Sequence, residues 1–113
     1  MLLYLFDFHD TLSTVPNPAS FLRSLKKKPG VFVVVMSGGE VPNSVVEAAD
    51  EFWPKDGSGL FHRLGGRFYE VILSDDNELF VRAITRNFGR KMPEVSLRFV
   101  HPRDLLSLSE ELD

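Results

Sequence analysis

Cysteine is missing from all 113 residues, and that one absence removes three chemistries. No disulfide can form, no thiolate can act as a nucleophile, and no thiolate metal site can be built. The absence suits a reducing compartment, and a cytoplasmic protein is expected. Long apolar runs are missing as well. Met1-Leu2-Leu3-Tyr4-Leu5-Phe6 meets an acid at Asp7; it is too short for the apolar region of a signal peptide and lacks the basic start. No run approaches the ~20 apolar residues of a membrane span, so a soluble chain with no membrane partner is expected. An excess of positive charge is lacking too. The formal net charge is -3, whereas nucleic-acid binding usually shows a basic domain with clustered Lys and Arg. The one basic run, Lys26-Lys27-Lys28, suits a helix end, where cations complement the dipole.

What is present is the composition of an ordinary globular protein, 43% hydrophobic and 26% charged. The length fits a single domain over residues 1–113 and hardly two. Ten phenylalanines and the lone Trp53 lean the core toward aromatic packing.

Leu2 to Phe6 and Val31 to Met36 are uninterrupted apolar runs rich in β-branched and aromatic residues, the pattern of strands buried on both faces. Tyr69 to Leu73 and Val95 to Val100 are weaker candidates, the latter alternating as an edge strand would. Helices fit between them. Asn17-Pro18 reads as a cap followed by proline at the first helical position, with Phe21, Leu22 and Leu25 on one face and Gly30 as the stop. Asn43 or Ser44 would cap a second helix carrying Val45, Val46, Ala49, Phe52 and Trp53, ended by Pro54. Asp76 would cap a third, with Leu79, Phe80, Ala83, Ile84 and Phe88 inward and Gly89 as the stop. Pro102 would open a fourth with Leu105, Leu106 and Leu108.

This alternation predicts an α/β fold: a small doubly wound, Rossmann-like parallel sheet of about four strands with helices on both faces. The Asp7 strand should be central, flanked by the Val31 and Val95 strands. Lys55 to Arg67, with Gly57, Gly59, Gly65 and Gly66, is expected to be a long loop, a surface insertion in preference to a flap over the site.

Open parallel sheets bind ligands beyond the carboxyl ends of their strands. Those ends carry Asp7, His9 and Asp10, then Ser37, Gly38 and Gly39, then Ser74, Asp75 and Asp76, and last His101 and Asp104. Part of this is the plain rule that polar residues follow strands. Ser74 and Asp76 read more readily as helix caps than as ligands, and Gly38-Gly39 as a turn.

The first strand is the specific part. Leu5-Phe6-Asp7-Phe8-His9-Asp10-Thr11-Leu12 resembles the opening motif of the haloacid dehalogenase-like (HAD) hydrolases, an apolar strand followed by Asp-x-Asp-x-Thr-Leu. Val33-Val34-Val35-Met36-Ser37-Gly38 is similar to the family's second motif, a Ser or Thr directly after the next strand. Phe68 to Asp76 is similar to its third-strand segment. The resemblance implies that Asp7 is a nucleophile forming an aspartyl phosphate, with Ser37 donating to the phosphoryl oxygens. It implies Mg²⁺, held by Asp7 and by an acid after the last strand, where only Asp104 is at hand.

Three positions depart from the pattern. His9 stands where the family has the aspartate that protonates the leaving group, a role histidine can fill near neutral pH; Asp10, where glycine is frequent, is a stand-in acid one position out of register. The lysine that offsets the charge of nucleophile and phosphate should open the helix after Asp76. None is there, and neither Lys55 nor Lys91 matches by position.

The implied function is therefore a Mg²⁺-dependent phosphatase or phosphotransferase acting on a phosphorylated substrate. With no cap domain its site would be open, suiting a bulky substrate, or would borrow a lid from a partner subunit. The alternative is a HAD-like binding or regulatory module that has lost catalysis. A third reading, a metal-dependent nuclease using Asp7, Asp75 and Asp104, has the acidic charge balance against it.

Overall fold

In the computed structural model, residues 1–55, 62–64 and 66–110 are described. Five strands form one sheet: β1 (Leu2–Asp7), β2 (Val31–Ser37), β3 (Glu51–Pro54), β4 (Glu70–Ser74) and β5 (Ser96–Phe99), in the order β3-β2-β1-β4-β5. Every adjacent pair is parallel. Helices accompany them among the described residues: α1 (Pro18–Lys26), α2 (Asn43–Ala48), α3 (Glu78–Lys91) and α4 (Leu106–Glu110), and residues 62–64 are helical as well. Short 3-10 turns, Leu12–Thr14 and Pro102–Asp104, lie before α1 and α4.

The two continuous apolar runs are the strands buried on both faces, because helices cover each side. Tyr4, Phe6, Val33, Val35 and Ile72 share a core with Phe21, Leu22 and Leu25 of α1, Val45 of α2 and Leu108 of α4. The alternate residues Leu3, Leu5, Val34, Met36, Val71 and Leu73 point the other way, onto Ile84 and Phe88 of α3 and onto Trp53, Leu64 and Phe68. Strand period two sorts one run into two cores. Asn17 caps α1 by accepting a bond from the Ser20 N–H at 3.1 Å. Gly30, at φ 77°, then turns the chain so that its carbonyl receives the Leu2 N–H at 2.9 Å.

Five expectations are corrected. There are five strands rather than about four, and the second helix stops at Ala48 instead of running through Trp53. Asp50 is the reason: its carboxylate accepts the Val33 N–H at 2.8 Å, its own N–H meets the Val33 carbonyl at 2.8 Å, and Lys26 pairs with it at 3.6 Å. The chain is thereby laid onto β2 and continues as β3, with Trp53 buried and its neighbour Phe52 38% exposed. The position before α2 is held by Pro42, not Asn43 or Ser44.

The neighbours of β1 are β2 and β4; the strand that follows Val95 lies at the sheet edge. Finally, α3 is capped by Asn77 rather than Asp76 and runs past Gly89 to Lys91, leaving Leu79 76% exposed and Ala83 outside. Of the expected loop from Lys55 to Arg67, residues 56–61 and 65 lie outside the described residues, while residues 62–64 are helical and Leu64 is buried. Among the described residues no helix is long and apolar enough to cross a membrane.

Candidate active site

Strand order decides what meets Asp7. Asp7 ends the central strand beside Met36 of β2, so Ser37 and the Gly38-Gly39 turn lie on one side of it. On the other side Phe6 is level with Ser74 of β4, which puts Asp75 and Asp76 next along that strand end. Ligand atoms of Asp7, Asp75 and Asp76 all lie within 4.8 Å of one another. Asp7 and Asp75 are buried; Asp76 is exposed.

Three like charges cannot be gathered out of water without compensation, and Lys55 supplies it. Its ammonium, arriving from the end of β3, is 3.6 Å from Asp7 Oδ1 and 2.7 Å from Asp75 Oδ2. One cation does not balance the set. The Asp7 carboxyl is raised from 3.8 to about 7, first by burial and next by the Asp75 charge, with Lys55 opposing and a hydrogen bond shared with Asp76 adding to the rise. Asp75 is also raised, chiefly by burial, against the pull of Lys55 and of the Asn77 N–H. Such displaced carboxyl groups in a cleft are a mark of a functional site.

The remaining contacts orient these groups. Thr11 Oγ1 donates to Asp7 Oδ2 at 3.4 Å, and the Asn77 N–H donates to Asp75 Oδ1 at 2.9 Å. Ser37 is buried, and its Oγ accepts from the Gly39 N–H at 3.0 Å, which leaves the hydroxyl proton free to point elsewhere. His9 is exposed and stands over that same turn. A Cβ placed on Gly39 would lie 3.2 Å from His9 Nε2 and 4.0 Å from Ser37 Oγ, so a side chain there would press the exposed imidazole aside by a few tenths of an ångström. An open cleft of about 170 Å³ borders Asp75, lined also by Glu78, Val81, Arg82 and Phe99. It has room for one aromatic ring.

Of the residues expected to act, Asp7, His9 and Ser37 collect at this strand end. Asp104 does not join the acidic group: it sits in the turn after edge strand β5, its side chain 61% exposed and 4.0 Å from Arg103. Asp75 and Asp76 are there instead, because β4 and not β5 pairs with β1. Asp10 is exposed, with its N–H bonded to Ser13 Oγ at 2.9 Å. Lys91 closes the far end of α3, while Lys55, which sequence position argued against, reaches the acids. No spacing rule could have found Lys55. Its place depends on β3, a strand that the helical reading of residues 43–54 concealed.

Comparison with protein-family models, with curated proteins and with solved structures found no match. The case for function rests on the geometry.

Proposed function

We propose that this chain is a HAD-like, Mg²⁺-dependent phosphohydrolase that works through an aspartyl phosphate at Asp7. The observation that carries the reading is the Lys55 ammonium held between Asp7 and Asp75, 3.6 Å and 2.7 Å away. That is the charge-offsetting lysine the resemblance calls for, supplied from an unexpected strand. Two further observations support it. Asp75 and Asp76 fill the acidic position next to the nucleophile. Asp10 adopts φ 57°, a left-handed conformation that favours glycine, at the position where the family often has glycine.

The donor set fits the cation. Carboxylate oxygens are the hard ligands Mg²⁺ prefers, and Asp7, Asp75 and Asp76 would hold it. Bound there, it would neutralise the acids and the phosphoryl charge and keep Asp7 ionised.

The chain's own residues do the rest. A carboxylate oxygen of Asp7 attacks phosphorus; the Asp7–phosphorus bond forms as the bond to the leaving oxygen breaks. The Ser37 hydroxyl and the amides of the Gly38-Gly39 turn donate to the phosphoryl oxygens, and Lys55 offsets their charge. His9 gives its proton to the leaving oxygen, then takes one from the water that attacks the aspartyl phosphate, releasing inorganic phosphate and restoring Asp7.

The test is release of phosphate from an aryl phosphate, with and without Mg²⁺. Wild-type protein should release phosphate only with Mg²⁺, Asp7→Asn should release none, and His9→Ala should be slower by about 10²–10⁴-fold, most of all for poor leaving groups. Turnover that survives Asp7→Asn refutes the mechanism, since the chain has no cysteine to take its place. A wild type without metal-dependent hydrolysis leaves the non-catalytic module, the reading that the exchange of the family's aspartate for His9 favours.

A further inference from the structure

A lysine is a long, flexible side chain, and Lys55 starts two strands away from Asp7. Something must hold its ammonium in one place for it to serve both acids. Besides the two carboxylates, the ammonium meets one more group among the described residues: the face of Phe80, whose ring centroid is 4.6 Å from Nζ. Phe80 lies in the first turn of α3, half-buried against the core that contains Ile84 and Phe88 one and two turns further on.

The start of α3 ties that ring to Asp75. The Asn77 N–H donates to Asp75 Oδ1 at 2.9 Å, and Asn77 Oδ1 accepts the Phe80 N–H at 3.1 Å. Two of the three groups around the ammonium are thus delivered by one capped helix start, fixed relative to each other through Asn77. The ring attracts the cation through its negative face and shields that side from water. It adds no negative charge, so it does not draw Lys55 away from Asp7 as a further acid would.

We propose that Phe80 is the positioning residue that holds the Lys55 ammonium between Asp7 and Asp75, which in the phosphohydrolase reading, on which its catalytic consequence rests, makes it a determinant of turnover rather than of substrate binding. Leucine at this position keeps the apolar contact and loses the ring; tyrosine keeps both.

The experiment compares Phe80→Leu and Phe80→Tyr with wild type in the full chain, each checked for a cooperative melt. One readout is kcat and KM for p-nitrophenyl phosphate with Mg²⁺. The other is the NMR signal of the Lys55 ammonium, assigned by its loss in Lys55→Met and visible only while the group is held out of rapid exchange. Phe80→Leu should lower kcat by about tenfold with KM within about twofold, a change of the size a partly buried cation–ring contact supplies. Phe80→Tyr should recover most of it. The ammonium signal should be present in wild type and Phe80→Tyr and lost in Phe80→Leu. A signal that persists in Phe80→Leu, or is absent from wild type, overturns the proposal, as does an unchanged kcat in an active protein. A wild type that hydrolyses nothing overturns the phosphohydrolase reading instead, and the ammonium signal alone then decides the role of Phe80.

Discussion

Asp7 holds its proton more tightly in the folded chain than an unfolded chain would, about 7 against 3.8. Between those values the native state binds more protons, so stability falls as pH rises through the window and returns as pH drops. The raised Asp75 carboxyl acts with the same sign. Asp7→Asn removes the charge that burial penalises while keeping the shape. Its melting temperature should therefore exceed that of wild type by about 10 °C at pH 8, with a gap of under about 3 °C at pH 4.5. Calorimetry of the metal-free proteins at the two pH values checks this; an equal gap at both would mean that Asp7 is not displaced. Lys55→Met should do the reverse. Removing a cation beside two buried acids should cost about 2–4 kcal/mol at pH 8, and less at pH 5 as the acids take up protons. Urea unfolding at each pH measures it, and a loss independent of pH would show that only packing had changed.

At the scale of elements, residues 43–54 show where the sequence could be read and where it could not. Val45, Val46, Ala49, Phe52 and Trp53 repeat at helical spacing, and that pattern does describe α2 as far as Ala48. What ends the helix is a contact 17 residues away in sequence, Asp50 with the Val33 N–H, which no local pattern reveals. The local trace of β3 is only that Phe52 and Trp53, adjacent in sequence, face opposite sides. By contrast β1, β2, α1 and the core of α3 were legible, because long apolar runs and strong caps outweigh context. The difference can be measured. Phe88→Ala, deep in the α3 core, should cost about 3–5 kcal/mol. Phe52→Ala, which a continued helix would have placed on an inward face, should cost under about 1 kcal/mol. Equal losses in urea melts would put Phe52 in the core after all.

For the molecule as a whole, a cation held by the acidic group would make metal binding and folding one equilibrium. If Asp7, Asp75 and Asp76 take up Mg²⁺, the melting temperature should climb steadily with its concentration, reaching a stabilisation of about 2.7 kcal/mol at a hundredfold excess over Kd. Near pH 7 the same titration should release a proton from Asp7, since a carboxyl group cannot keep it and ligate the cation. Asp76→Asn should weaken both responses, and a flat melting temperature across the titration would count against a cation at this strand end. The sheet type and the first half of the site could be read from the chain, as Asp7, His9 and Ser37 follow strands that announce themselves. The second half could not. Whether Asp75 or Asp104 joins Asp7 depends on which later strand lies beside β1, and both follow apolar segments of similar weight.

That position of β1, between a strand that follows it closely and one that comes much later, sets a timetable for a chain emerging from the ribosome. Val31–Ser37 can pair with Leu2–Asp7 early, but the opposite edge of the first strand waits for Glu70–Ser74. At ordinary synthesis rates that gap lasts about 2–7 s. Throughout it an apolar strand offers unpaired backbone groups to any neighbour, the circumstance in which chains join edge to edge. The acidic group is delayed with it. Until residues 70–76 arrive, Asp7 lacks both the Asp75 charge and the full burial that lift its affinity for a proton, so an unfinished chain carries an ordinary aspartate where the finished one holds a displaced carboxyl group.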